Sequence, residues 1–157
     1  MKRRLSAALL AGSALAGSLM MGSTSAHAGT GAFMLKNAAT GLCLQGSLSQ
    51  STYETRGVPC NRGDASQWWG NYKSQIIMAN TSISVCLVST PSWSALTTGC
   101  SDAAGSGWSN SWATSGDTNT LVAGKNCYLG MGSAGAGNIG YCLPGQGDAY
   151  KRWTKVY

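Results

Sequence analysis

Apolar and polar positions divide the chain into two unlike parts. In residues 1–28 a basic start (Lys2, Arg3, Arg4) precedes an apolar stretch from Leu5 to about Met21, and Ala26-His27-Ala28 places small residues at a cleavage position. These are the three zones of a secretory signal. Gly12, Ser13, Gly17 and Ser18 interrupt the apolar run, so cleavage rather than a retained anchor is expected. Residues 1–28 are read as a signal peptide and residues 29–157 as one secreted, extracellular domain. Beyond Ala28 the pattern changes to short strand-like segments at 42–44, 74–78, 84–88 and 119–122, separated by turn formers at 61–64, 102–107 and 132–137. No stripe at helical spacing follows the signal. No run there approaches the roughly 18 consecutive apolar residues of a membrane helix, so membrane insertion is not expected.

Three residue series repeat with one period. Cys43, Cys86 and Cys127 lie 43 and 41 apart, Cys60, Cys100 and Cys142 lie 40 and 42 apart, and Trp69, Trp112 and Trp153 again lie 43 and 41 apart. The segments leading into the first cysteines match too: Met34-Leu35-Lys36-Asn37 aligns with Ile77-Met78-Ala79-Asn80 and, more loosely, with Leu121-Val122-Ala123-Gly124. Three units of about 42 residues therefore fill the chain after the signal, each running apolar strand, Cys, loop, Cys, turn, Trp. Six cysteines allow 15 pairings. The arrangement that every unit makes alone is Cys43–Cys60, Cys86–Cys100 and Cys127–Cys142. Short strands in a threefold repeat predict a closed all-β domain with a shared core.

Composition removes several classes of function. The only histidine, His27, lies in the signal, and paired cysteines leave no thiolate. Histidine-assisted nucleophiles, imidazole metal ligands and histidine acid–base groups are thus missing from the domain. The five acids, Glu54, Asp64, Asp102, Asp117 and Asp148, show no spacing suggesting a catalytic pair or a metal site. The formal charge is +6, but three of the eleven basic residues belong to the signal, which leaves eight basic against five acidic residues. Lys125, Lys151, Arg152 and Lys155 read as a solvated basic face, and nucleic acid is not expected as a partner. Arg62-Gly63-Asp64 spells an adhesion tripeptide and Asn80-Thr81-Ser82 a glycosylation sequon, but both are read as incidental.

Residues 35–44, followed by Cys60-Asn61-Arg62-Gly63-Asp64-Ala65-Ser66-Gln67-Trp68-Trp69, resemble one full repeat of the ricin B-type lectin family, whose mark is Gln-x-Trp. Asn110-Ser111-Trp112 and Lys151-Arg152-Trp153 keep only the tryptophan. The resemblance implies a β-trefoil, with Trp69, Trp112 and Trp153 in the core. Trp68, Trp93 and Trp108 fall outside the period and are candidates for surface platforms. It also implies sugar binding through a residue two places after each first cysteine, an aromatic shortly before the second and a polar residue beside Gln-x-Trp. The first of these positions reads Gln45, Val88 and Leu129. Val58, Thr98 and Gly140 stand near the aromatic position, with Tyr53, Trp93 and Tyr141 in the same loops. The first repeat is the best preserved, and Gln45, Tyr53, Asn61 and Gln67 are its candidate ligands.

The expected function is a secreted carbohydrate-binding, lectin-like module without catalytic activity, cofactor or metal, acting on a glycan or polysaccharide. The alternative is a protein-interaction β-trefoil, a toxin accessory subunit or a protease inhibitor, that has lost sugar binding.

Overall fold

The computed structural model describes residues 31–132, 138–145 and 148–157. The segment read as a signal peptide, residues 1–28, and most of the turn expected at 132–137 lie outside them. The described chain is almost wholly β. Each expected strand forms within a residue or so of its predicted bounds: β2 (Cys43–Gln45) after β1 (Met34–Asn37), β6 (Gln75–Met78), β7 (Val85–Ser89) and β10 (Thr120–Ala123). The remaining strands are β3 (Tyr53–Glu54), β4 (Arg56–Val58), β5 (Trp69–Tyr72), β8 (Ala95–Gly99), β9 (Ala113–Thr114), β11 (Tyr128–Met131), β12 (Gly140–Leu143) and β13 (Arg152–Val156).

One path of hydrogen-bonded strands runs β12-β11-β10-β13-β1-β2-β4, with β9 against β10, and a second runs β3-β8-β7-β6-β5. The first strand pairs antiparallel with the last, Met34 opposite Val156 and Asn37 opposite Trp153, so sequence-distant repeats share an edge. The two paths are stitched by a reciprocal backbone pair between Phe33 and Trp69 at 2.9 and 2.8 Å and by a bridge from Ser94 to Tyr141, while a bridge from Arg56 to Ile139 draws the two ends of the first path together. The disulfides are Cys43–Cys60, Cys86–Cys100 and Cys127–Cys142, as the period predicted, with sequence separations of 17, 14 and 15. In the chain-entropy model each contributes about 3 kcal/mol.

The threefold relation is clearest at the tryptophans. Trp69 Nε1 donates to the Leu44 carbonyl at 3.0 Å, Trp112 Nε1 to Leu87 at 2.7 Å and Trp153 Nε1 to Leu129 at 2.8 Å. All three indoles are buried, with Leu35, Met78 and Val122 from the matching strands in the same core. Pairing each buried N–H avoids the roughly 1–3 kcal/mol cost of an unsatisfied donor. Met131 is fully buried in the same core and lies so close to β4 that a Cβ on Gly57 would stand 2.2 Å from its sulfur. These features make the chain a three-repeat β-trefoil.

Three local expectations need correction. The turn expected at 102–107 begins as a short helix, α1 (Cys100–Gly105), because Ala103 and Ala104 favour helix and Ala103 buries against Ile77, Cys86 and Val88. Leu129 does not correspond to Gln45 and Val88: its carbonyl takes the Trp153 indole, so it matches Leu44 and Leu87, and the third repeat carries one extra residue after its first cysteine. Finally, the basic cluster is not a uniformly solvated face. Lys151 is only 7% exposed, and Lys155 pairs with Asp117 at 2.8 Å while lying over the Phe33 ring.

Candidate functional site

The first-repeat candidates separate into a turn and a surface. Just before β5 the chain makes a tight helical turn, Ala65–Gln67, capped by Asp64. Both carboxylate oxygens of Asp64 are occupied: Oδ1 accepts from the Ser66 backbone N–H and hydroxyl, and Oδ2 from Gln45 Nε2 and Gln67 Nε2, both at 3.0 Å. These bonds, from the Ser66 hydroxyl first and Gln67 second, hold the carboxyl below its ordinary value against the opposing effect of burial. Gln67 is 1% exposed; its Oε1 accepts from the Asn61 N–H and its Nε2 also reaches the Pro59 carbonyl. Asn61 in turn uses its side-chain oxygen to accept from Gly63 N–H.

The structure therefore brings Gln45, Asn61 and Gln67 together around Asp64, with Gln67 and Asn61 bracing the turn. Gln45 also donates to Ser66 Oγ at 3.0 Å, which leaves its carbonyl oxygen as the acceptor with no partner among the described residues. Tyr53 lies apart, on β3 paired with β8, half exposed beneath the Arg56 guanidinium at 5.5 Å. Arg56 stands opposite Gln45 across β2 and β4, so it joins the two on one face. The adhesion tripeptide is likewise absorbed into the fold, since Arg62 donates to the Tyr157 carbonyl and Asp64 is saturated.

The corresponding places in the other repeats are filled. Val88 is fully buried beneath Ala103 of α1, with Leu96 and Trp108 packed alongside. In the third repeat Gly130 follows Leu129, and the Tyr141 ring lies across it, 2.3 Å from where a Cβ would stand. Burial of that phenol, together with the nearby charge of Asp148, raises its pKa.

A separate concave surface among the described residues lies between the second and third repeats. A cleft of about 250 Å³ is lined by Ser89, Thr90, Pro91 and Trp93 from the β7–β8 hairpin, Gly107 and Ser109 after α1, and Lys125, Asn126 and Cys127 from the β10–β11 turn. Trp93 is 43% exposed and has a φ of +66°, a left-handed conformation uncommon for a bulky residue. The turn imposes it: Trp93 N–H donates to the Thr90 carbonyl at 3.1 Å and Thr90 N–H to Ser94 at 3.0 Å. The Trp93 carbonyl accepts from Cys142 N–H at 2.7 Å, while Gly124 N–H closes the opposite wall on the Cys127 carbonyl at 2.8 Å. One disulfide, Cys127–Cys142, thus ties both walls together. Of the off-period tryptophans, only Trp93 is exposed; Trp68 is half-buried and donates to the Arg62 carbonyl, and Trp108 packs beside α1. The sequence offered Trp93 as a candidate but held no sign of its third-repeat partners.

No protein-family model and no curated protein sequence matches the chain. Its fold is shared with solved structures of low identity. The hemolytic lectin CEL-III superposes with a TM-score of 0.63 at 19% identity, over 80% of this chain and 30% of that one. The mdaA-1 domain gives 0.60 at 17% over 80% and 89%, and the designed threefold-symmetric protein ThreeFoil gives 0.59 at 13% over 80% and 98%. The match to CEL-III thus spans under a third of that protein's length.

Proposed function

We propose that this β-trefoil is a secreted, non-catalytic carbohydrate-binding module, and that its principal site is the Trp93 cleft. The observation that carries the reading is an exposed indole in a 250 Å³ cleft that the polar residues Ser89, Thr90, Ser109 and Asn126 also line. A pyranose has an apolar face that stacks on an aromatic ring and hydroxyls at its rim that need such partners. Three disulfides suit an oxidising, extracellular compartment. The likeness to a lectin fold supports the same reading. Tyr53 and Gln45 supply a second, shallower contact on the first repeat.

The test is a glycan and polysaccharide binding screen of the disulfide-bonded protein beside Trp93→Ala and Gln45→Ala/Tyr53→Ala variants. Binding lost in Trp93→Ala is the expected result. Binding lost only in the first-repeat variant would move the site, and no binding by the parent would overturn the reading. A second reading, a protein-interaction trefoil such as a toxin accessory subunit or protease inhibitor, draws on the filled positions at Val88 and Gly130. It predicts no glycan binding at all.

A further inference from the structure

We propose that the Trp93 cleft selects an anionic sugar, one bearing a carboxylate or a sulfate ester, and that Lys125 reads the charge. The inference rests on the cleft being a sugar site and goes further by naming the ligand class. Lys125 sits with Asn126 at the exposed tip of the β10–β11 turn and lines the same cleft as Trp93.

Its charge is uncompensated among the described residues. The two ion pairs there use Lys151 with Asp148 and Lys155 with Asp117, and Lys125 has neither an ion pair nor an aromatic face. None of the five acids lines the cleft. A neutral sugar would leave this ammonium in solvent beside the ligand. A carboxylate or sulfate on the ring carbon nearest the turn would instead gain a charge-assisted hydrogen bond, with the indole holding the opposite face. Because the site is assembled from two repeats, it does not reproduce a one-repeat pocket, and the filled places at Val88 and Gly130 are no obstacle to it.

The experiment compares paired methyl glycosides by titration calorimetry on the disulfide-bonded protein: glucuronide against glucoside and galacturonide against galactoside, with galactose 6-sulfate as the sulfate arm. The expected result is at least about a tenfold preference for the anionic member at low salt. That preference should collapse in Lys125→Gln, survive largely in Lys125→Arg and shrink in about 0.5 M salt. The sulfate arm separates a requirement for planar carboxylate from one for any anion. Equal affinity for charged and neutral partners, or a preference retained by Lys125→Gln, would overturn the inference while leaving a neutral-sugar site in place. Absence of binding, or binding indifferent to Trp93→Ala, would overturn the underlying site as well.

Discussion

The backbone carbonyl of Trp93 accepts a 2.7 Å hydrogen bond from the N–H of Cys142, which fastens an exposed aromatic of the second repeat to the disulfide strand of the third. Cys127, the partner of Cys142, ends the turn that carries Lys125 and Asn126. A covalent bond deep in one repeat thereby sets the width of a cleft shared by two.

Replacing Cys127 and Cys142 together by alanine should therefore do more than loosen the fold. Loss of a loop constraint with a separation of 15 residues costs about 3 kcal/mol in urea unfolding. Cleft binding should fall with it, because both walls are released. The Cys43→Ala/Cys60→Ala protein, whose bridge lies in the first repeat, should lose comparable stability and keep cleft affinity at a temperature where both remain folded. Equal losses of affinity in the two variants would contradict the arrangement.

Trp93→Gly separates ligand contact from folding. A φ of +66° suits glycine and strains tryptophan, so relief of that strain offsets part of the packing lost with a ring that is 43% exposed. Unfolding should shift by about 1–3 kcal/mol and leave the protein folded, while sugar binding disappears. Trp69→Gly, by contrast, removes a wholly buried indole and its bond to Leu44, and should unfold the protein at ambient temperature.

Lys151 holds the third repeat where Gln67 holds the first. Its ammonium donates to the Pro144 and Gly145 carbonyls at 3.2 and 2.9 Å and lies 3.6 Å from Asp148, the cap of its own turn, just as Gln67 Nε2 reaches Pro59 and Asp64. Lys151→Ala should cost about 1–3 kcal/mol by stranding these acceptors. Lys151→Gln should recover a large part of that loss, since the first repeat builds the same turn with glutamine. If both substitutions were equally costly, the equivalence would be wrong.

The repeat was legible because its marks are covalent or bulky. Paired cysteines and core tryptophans tolerate few substitutes, so the disulfides and the Trp69, Trp112 and Trp153 core could be read from spacing. What spacing concealed was local register. An extra residue after Cys127 leaves the period nearly unchanged yet moves Leu129 into the core. Lys151 stood in a basic cluster, and only the carbonyls gathered around it show that a lysine can replace the glutamine of the motif. The Trp93 cleft was hidden for a topological reason: its walls come from segments more than 30 residues apart at their extremes, joined by pairings that no single repeat contains. Of the first-repeat candidates, the motif identified the residues that build the turn, but amide side chains that bind a ligand and those that bind the backbone have the same one-letter signature.

Asp64 gives the protein a predictable response to acid. Hydrogen bonds from Ser66, Gln67 and Gln45 lower its native pKa below the ordinary 3.8, so in the interval between the two values the unfolded chain binds more protons than the folded one. The stabilisation is complete above about pH 4 and is lost as pH falls through the native pKa. An asparagine side chain at this position cannot ionise, and its amide turns a donor toward Ser66 or toward the two glutamine amides. Asp64→Asn should therefore melt below the parent at neutral pH, with the gap narrowing steadily below about pH 4. Asp117, lowered mainly by its hydrogen bond with Lys155, titrates alike in both proteins and cancels from the difference. Thermal melts of the pair from about pH 7 to about pH 2.5 measure the effect, and a gap that stayed constant over that range would show that the charge of Asp64 does not brace the turn.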